Sequence, residues 1–301
     1  MVRAHDARKK ATALNPLVLQ RYAMILKAGD VRCGHAMVEI TDAKGEGGAT
    51  YKLTEHFKAA MSGDGQSARV DYSGELLLGA DLGILSGVYK RHTEFMNDKV
   101  TQNVDSTAMV TIKDDKLTWT LEELRKGDKT PVKLDTKPMK LYGVKPAPKN
   151  ALISFATLAA TGTEGFKPDP KEPYCVPTLE VDAEGNTAEI EPAWITLSPR
   201  SGTQPNNTAM QMRVRYIVGE ANENGLEVET PTPDIWYSAI TTPLDEKFRP
   251  LQFDIPDDPR IHAEAVAYSE LKTDAPLELE KIEAALKKEE VRIEKQEKGN
   301  K

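Results

Sequence analysis

The stretch from Ser67 to Leu124 limits the fold of this chain more than any other, because its apolar residues recur at every second position. Ala68, Val70 and Tyr72 alternate with Arg69, Asp71 and Ser73, and Leu76 and Leu78 continue the first set. Ala108, Val110 and Ile112 alternate with Met109, Thr111 and Lys113. After the polar turn Lys113-Asp114-Asp115-Lys116, Leu117, Trp119 and Leu121 alternate with Thr118 and Thr120. A period of two sends successive side chains to opposite faces of a strand, whereas a helix needs apolar residues three and four apart. Two such runs across a short polar turn read as a hairpin. One face is apolar and the other carries Thr, Lys and Glu, as in an antiparallel sheet with one covered and one wet face.

The same pattern extends in both directions. Tyr22, Met24 and Leu26 alternate with Arg21, Ala23 and Ile25, and Ala28-Gly29-Asp30 supplies a turn into a second strand at Val31–Thr41. Tyr51, Leu53, Phe57, Ala59 and Met61 fall on one side of the next segment, and Glu55 interrupts that apolar side. In the second half, Met210, Met212, Val214, Tyr216 and Val218 form an alternating set, and Asn224-Gly225 is a strong hairpin turn. Ile261–Leu271 reads as a strand, with helix as the competing reading because of Ala263, Ala265 and Ala267. Ala151–Ala160 reads as a short buried helix. Thr273–Lys298 reads as a longer helix, with Asp274 as its cap, Pro276 in its first turn and a narrow stripe of Leu279, Ile282, Leu286 and Ile293. Its turns through Leu286 are expected to dock, and those from Lys287 to project into solvent.

The fold expectation is therefore mainly β: long antiparallel strands forming a curved sheet, half-barrel or sandwich, with one short internal helix and a C-terminal helix. Residues 1–18 are expected as a flexible N-terminal arm. Residues 19–272 are expected as the β domain, divisible into halves at 19–145 and 150–272, with 273–301 as the C-terminal helix.

Composition removes several function classes. The net charge is −7 over 301 residues, which gives no general attraction to nucleic acid or to anionic membranes. No apolar run is long enough to span a bilayer as a helix. Val2–Ala13 is polar and basic without an apolar stretch, so it does not read as a signal peptide. The two cysteines, Cys33 and Cys175, are compatible with one long-range disulfide or with two reduced thiols.

No catalytic constellation emerges. The five histidines include no His-x-x-x-His pair, and there is no Cys-x-x-Cys, so no metal site is expected. His35 and His56 lie on candidate strands that could be neighbours, but polar strand-face histidines are the commoner explanation. No Gly-x-Ser-x-Gly elbow, Walker A motif or dinucleotide fingerprint is present, so no cofactor is expected. Aromatic residues offer the candidate ligand contacts: Trp236 and Tyr237, the densest aromatic point, and Trp119 on its alternating strand.

The motifs Tyr22-x-Met24-x-Leu26-x-Ala28-Gly29, Gly34-His35-Ala36 and Tyr51-Lys52-Leu53, with Trp236-Tyr237-Ser238 followed by Pro250-Leu251, carry a likeness. Over residues 19–272 the chain resembles the lipoprotein-carrier-like half-barrels of extracytoplasmic bacterial proteins and their uncharacterised relatives. That resemblance implies a curved sheet with an apolar concave face and non-catalytic binding of a lipid or apolar chain, outside the cytoplasm. The chain departs from it in showing no export signal and no lipobox cysteine, which leaves a cytoplasmic location open.

The functional expectation is a non-enzymatic extracytoplasmic binding or scaffold protein for a lipid or other apolar ligand, with a protein partner on the C-terminal helix as a further expectation. The alternative is a hydrolase or sugar-active enzyme that uses carboxylates on a β scaffold, with Glu94, Asp105 and Glu122 as its candidate acids.

Overall fold

A computed structural model of the chain describes residues 1–10, 21–63, 66–97, 100–134, 137–149, 171, 173–182, 187–199, 210–230, 240–244, 250–255 and 258–299. Alternation builds most of it. The long strands are β2 (Arg21–Ala28), β3 (Val31–Asp42), β4 (Tyr51–Gly63), β5 (Gln66–Leu78), β6 (Ile84–Asn97), β7 (Val100–Lys113) and β8 (Lys116–Arg125). They follow β1 (Val2–Asp6) and pair in chain order as an antiparallel meander. The short β9 (Val132–Leu134) and β10 (Met139–Lys140) join at β8. At the other edge β20 (Gln252–Ile255) and β21 (Asp258–Val266) close an 11-stranded sheet. Asp114 and Asp115 have φ of 50° and 62°, the double positive φ that lets a two-residue turn match strand twist.

Register sets the faces. One row across the sheet reads Val38, Glu55, Gly74, Tyr89, Ala108 and Leu121, all on the inner face. A row on the outer face reads Lys58, Asp71, His92 and Asp105. Leu53, Leu76, Val110, Leu117, Trp119 and Leu121 carry the inner face into the core.

A second, smaller sheet supplies the other half of that core. Its strands are β12 (Tyr174–Val176), β15 (Ala193–Pro199), β16 (Met210–Tyr216), β17 (Gly219–Asn222), β18 (Gly225–Val228) and β19 (Ile240–Pro243), with β1, in the order β17-β18-β1-β12-β15-β16-β19. A third sheet of three strands holds β11 (Ala147–Pro148), β13 (Thr178–Asp182) and β14 (Thr187–Ile190). Trp194, Ile195, Met212 and Val214 from the smaller sheet and Leu179 from β13 pack in one cluster with Leu76, Val110 and Trp119. Among the described residues two pairings are parallel, β1 with β12 and β11 with β13, and the rest are antiparallel.

The expectations from the sequence meet the structure here. Residues 2–6, expected within a flexible arm, are instead β1, held between β18 and β12, with Ala4 and Ala7 buried. Arg8 anchors this segment: it is only 5% exposed, pairs with Asp6 at 2.7 Å and donates to the Asp81 carbonyl at 3.0 Å. A buried guanidinium with all these partners fixes a chain that composition alone reads as solvated. Residues 11–18 of the expected arm, and the helix expected at Ala151–Ala160, lie outside the described residues.

The C-terminal helix runs Leu279–Gly299 and starts later than expected. The Ile282 amide donates to the Glu278 carbonyl, so Glu278, not Asp274, stands at the cap. The preceding segment is committed elsewhere: Arg21 lies over the Tyr268 ring, the Arg32 guanidinium donates to the Lys272 carbonyl, and Leu277 is buried. Ile282 and Leu286, each 1% exposed, pack with Leu26, Ala28, Cys33, Ala59 and Ile261. The docked part reaches somewhat past Leu286, because the Glu289 carboxylate stands over the Gly29 turn.

Ile261–Val266 is strand, and its helical alternative fails because Ile261 and Ala263 alternate into this same cluster while pairing with β2. Cys33 and Cys175 are both free and buried, in different clusters. Burial pushes each thiol up to about 12, so both stay protonated at neutral pH. No helix among the described residues is long and apolar enough to cross a membrane.

Candidate functional site

The inner face of the long sheet is not fully covered. A cavity of about 440 Å³ lies between it and β13. The long sheet contributes Met24 and Leu26 from β2, Ala36 and Val38 from β3, and Phe57 from β4, while β13 contributes Leu179 and Val181, and β20 contributes Phe253 and Ile255. Each lines the cavity because alternation places it on the inner face or on the facing strand. The lining is mostly apolar with a few convergent polar groups, and its volume falls within the usual range for small-molecule sites.

Polar groups meet the cavity from both walls: Glu55, His56, Tyr72, Tyr89, Arg91 and Ser106 from the long sheet, and Lys149 and Glu180 from the other side. Glu55 is the residue that breaks the apolar side of β4. Tyr72 Oη donates to Glu55 Oε1 at 2.6 Å. The Tyr72 and Tyr89 rings stack with centroids 6.0 Å apart and planes at 26°. Burial and the neighbouring Glu55 carboxylate push both phenols above their ordinary range, so both keep their protons and remain donors.

Gly74 sits in register between Glu55 and Tyr89. A Cβ there would lie 2.8 Å from Glu55 Oε1 and 3.2 Å from Tyr89 Cδ1. The glycine therefore makes the room in which the carboxylate and the ring lie side by side.

Two cations share the lining. Arg91, in register opposite Tyr72, donates from Nε to Thr93 Oγ1 at 3.1 Å. Lys149 Nζ pairs with Glu180 at 2.6 Å and Glu191 at 2.5 Å, and lies 5.2 Å from the Tyr216 ring centroid. Burial alone would lower the Lys149 pKa, but the two carboxylates outweigh it and raise it, so the ammonium stays charged.

The outer face carries a separate polar chain. Arg32 Nη2 contacts His35 Nδ1 at 3.2 Å, His35 Nε2 contacts His56 Nδ1 at 3.2 Å, and His56 Nε2 contacts Asp71 Oδ1 at 2.8 Å. His35 and His56, on neighbouring strands, are thus brought together. Burial, with His56, Arg32 and Lys58 adding to it, lowers the His35 pKa to about 4. Burial pushes the Asp71 carboxyl up, but His56 and Lys58 prevail and lower it. His92 Nδ1 meets Asp105 Oδ1 at 2.6 Å, and this hydrogen bond raises the His92 pKa. Among the described residues no group of three or more metal-ligating side chains converges.

The expected site residues fall differently. Trp119 is 7% exposed on β8 and packs in the shared core without lining the cavity. Trp236 and Tyr237 lie outside the described residues. Of the candidate acids, Glu94 and Asp105 flank His92 on the outer face, and Glu122 pairs with Lys133 at 3.0 Å. None of the three lines the cavity. Tyr72 and Tyr89 went unselected because an aromatic on an apolar strand face is ordinarily core. Glu55, breaking the apolar set of β4, was the local signal for this wall. Lys149 and Glu180 had none, since their meeting depends on how β13 lies over the long sheet.

No protein-family model matches the chain, and no curated protein matches it. Among solved structures, the crystal structure of a β-barrel-like protein of a domain of unknown function, DUF1849, from Brucella abortus is similar over 82% of this chain and 95% of that chain. The identity is 11% and the TM-score 0.41.

Proposed function

We propose that the chain is a non-enzymatic binding protein that takes an apolar chain into the cavity between its long sheet and β13. The cavity of about 440 Å³, walled by Met24, Leu26, Phe57, Leu179, Phe253 and Ile255, carries the reading. Transfer of an alkyl chain into such a space is favourable at about 25 cal/mol per Å² of apolar surface removed from water. The likeness of the opening hairpins to lipoprotein-carrier half-barrels agrees with it, and brings with it the proposal of an extracytoplasmic location. The hydrolase alternative has less support, because Glu94, Asp105 and Glu122 are spread over the outer face in ion pairs.

The test is titration with a neutral apolar fluorophore, N-phenyl-1-naphthylamine. The wild-type chain is expected to bind it, and Ala36→Trp, which fills the cavity from β3, to bind it at least roughly ten-fold more weakly. Circular dichroism of the variant should match wild type. Absence of binding to the wild-type chain, or equal binding by a folded Ala36→Trp, overturns the proposal.

A further inference from the structure

We infer that residues 267–278 and the C-terminal helix form an acid-released flap, latched to β3 by Arg32 and governed by the hydrogen-bonded row Arg32–His35–His56–Asp71, whether or not the cavity binds a ligand. Arg32 Nη2 reaches two acceptors, the Lys272 carbonyl at 2.6 Å and His35 Nδ1 at 3.2 Å. A guanidinium only donates, so His35 Nδ1 is the bare nitrogen and the neutral ring carries its hydrogen on Nε2. That hydrogen faces His56 Nδ1 at 3.2 Å, which leaves the His56 hydrogen on Nε2, 2.8 Å from Asp71 Oδ1. Every junction in the row then holds one hydrogen. A proton added to either ring sets two hydrogens against each other, at the Arg32 junction or between the rings. The Arg32 junction yields first, because there two cations also face each other.

Arg32 Nε is buried without a hydrogen-bond partner, so the guanidinium holds the segment through Nη2, the same nitrogen that meets His35. Behind this latch Leu277, Ile282 and Leu286 pack in one cluster with Met24, Leu26, Phe57, Phe253 and Ile255, all five of which also line the cavity. Release therefore uncovers that end of the cavity wall. The charges around His35 favour release in acid. Besides Arg32 on its own strand, the ring meets His56 and Lys58 from β4 and Asp71 from β5, and Asp274 of the flap acts on Arg32. Asp71 favours a charged ring, but it is already engaged by His56 at 2.8 Å and Lys58 at 3.3 Å. Lys27, from the neighbouring strand β2, is paired with Glu264 of β21. Burial, with His56, Arg32 and Lys58 adding to it, lowers the His35 pKa from 6.5 to about 4. Below 6.5 the proton is taken up by the open form, so opening is favoured as pH falls.

The test is hydrogen–deuterium exchange of the full chain at about pH 7.5 and about pH 5, corrected for the intrinsic pH dependence of exchange, with β7 and β8 as the internal reference. Relative to that reference, exchange over residues 268–290 is expected to rise at least about ten-fold at the lower pH. His35→Gln, whose amide oxygen accepts from Arg32 and whose amide nitrogen donates to His56, is expected to abolish the rise. It leaves in place Glu283 and Glu289, the carboxylates by which the helix itself meets Ser67 and the Gly29 turn. His92→Gln, which removes the exposed partner of Asp105, should keep the rise. Arg32→Met should raise exchange over 268–290 already at the higher pH and leave β7 and β8 unchanged. No rise in wild type, an equal rise in both regions, or a rise that survives in a folded His35→Gln overturns the inference. Should circular dichroism show that His35→Gln does not fold, Arg32→Met decides: faster exchange over 268–290 supports the latch, and unchanged exchange overturns it. None of these measurements uses a ligand, so a failure here leaves the binding proposal to its own fluorophore test.

Discussion

The long meander and the smaller sheet are made of the same kind of strand but are assembled in opposite ways. From β2 to β8 each strand pairs with the next, so a turn and an alternation pattern decide every register. In the smaller sheet the third position is filled by β1, which pairs with β18 on one side and runs parallel to β12 on the other. Ala4 meets Leu226 across more than two hundred residues of chain. Local pairing is reached cheaply, whereas distant pairing requires loop closure before any contact rewards it. The difference places the coupling of the molecule in the smaller sheet, and most of the cavity wall in the meander.

The largest effect should come from Ala4→Asp. Ala4 is 5% exposed and lies in the cluster that also holds Val110, Trp119 and Trp194. A carboxylate there should cost about 2–3 kcal/mol, which for a chain of this size lowers the melting temperature by roughly 4–10 °C. Because the cluster joins both sheets, thermal unfolding should remain one transition. Two separated transitions, with only the first shifted, would show that the meander stands without the smaller sheet. An unchanged transition would restore residues 1–6 to the loose arm that composition suggests.

A smaller effect should come from the outer face of the meander. His35 is 1% exposed and its folded-state pKa is lowered to about 4 from an ordinary 6.5. Above 6.5 the ring is neutral in both states, and this burial carries no proton penalty. As pH falls, the unfolded chain takes up a proton that the folded chain refuses. Stability is therefore lost between 6.5 and about 4, at no more than about 1.4 kcal/mol per pH unit from this group. His92 acts in the opposite sense, since its raised pKa adds stability at low pH that is lost as pH rises; its ring is 41% exposed, so solvent screens the term. Denaturant titrations on either side of this window should show wild type losing stability toward acid and His35→Gln losing less. Parallel slopes for the two proteins would mean that the His35–His56–Asp71 chain relaxes and admits the proton.

How much of this was legible follows from the same contrast. The strands from Arg21 to Arg125 could be read from single residues: Leu53, Leu76, Val110 and Leu121 alternate with polar neighbours and all face inward. Glu55 broke its apolar set visibly, and that break marks the polar wall of the cavity. The smaller sheet resisted. Alternation along β16 holds through Met212 and Val214, then fails: Ile217 is 5% exposed and Val218 58%, because pairing ends at Tyr216 and the chain turns over. β1 was invisible, since five residues with one apolar face carry no period, and their burial depends on strands from residues 174 and 226 onward. The ion cluster at Lys149 was equally hidden, since no local pattern brings it to Glu180 and Glu191.

The smallest effect should come from the end of the C-terminal helix, the region that belongs to neither sheet core. Its first turns bury Ile282 and Leu286 against the second cluster, and Ser67 donates to the Glu283 carboxylate. Glu289 still reaches the Gly29 turn and pairs with Arg292 at 2.6 Å. Beyond that point Val291 is 50% exposed, and Lys298 and Glu294 pair only with each other in solvent. Exposed pairs of this kind contribute about 0.3–0.5 kcal/mol, and a frayed end returns conformational entropy when it is removed. Truncation after Arg292 should therefore move the melting temperature by less than roughly 2 °C, while Ile282→Asp with Leu286→Asp should cost several kcal/mol. Light scattering on the truncated chain sharpens the comparison. If stability holds but oligomeric mass falls, Val291 and Ile293 bind a second copy, and the helix joins molecules together. If stability itself falls, the distal turns pack on the protein, and the outer end of the meander is held in place from beyond its own hairpins.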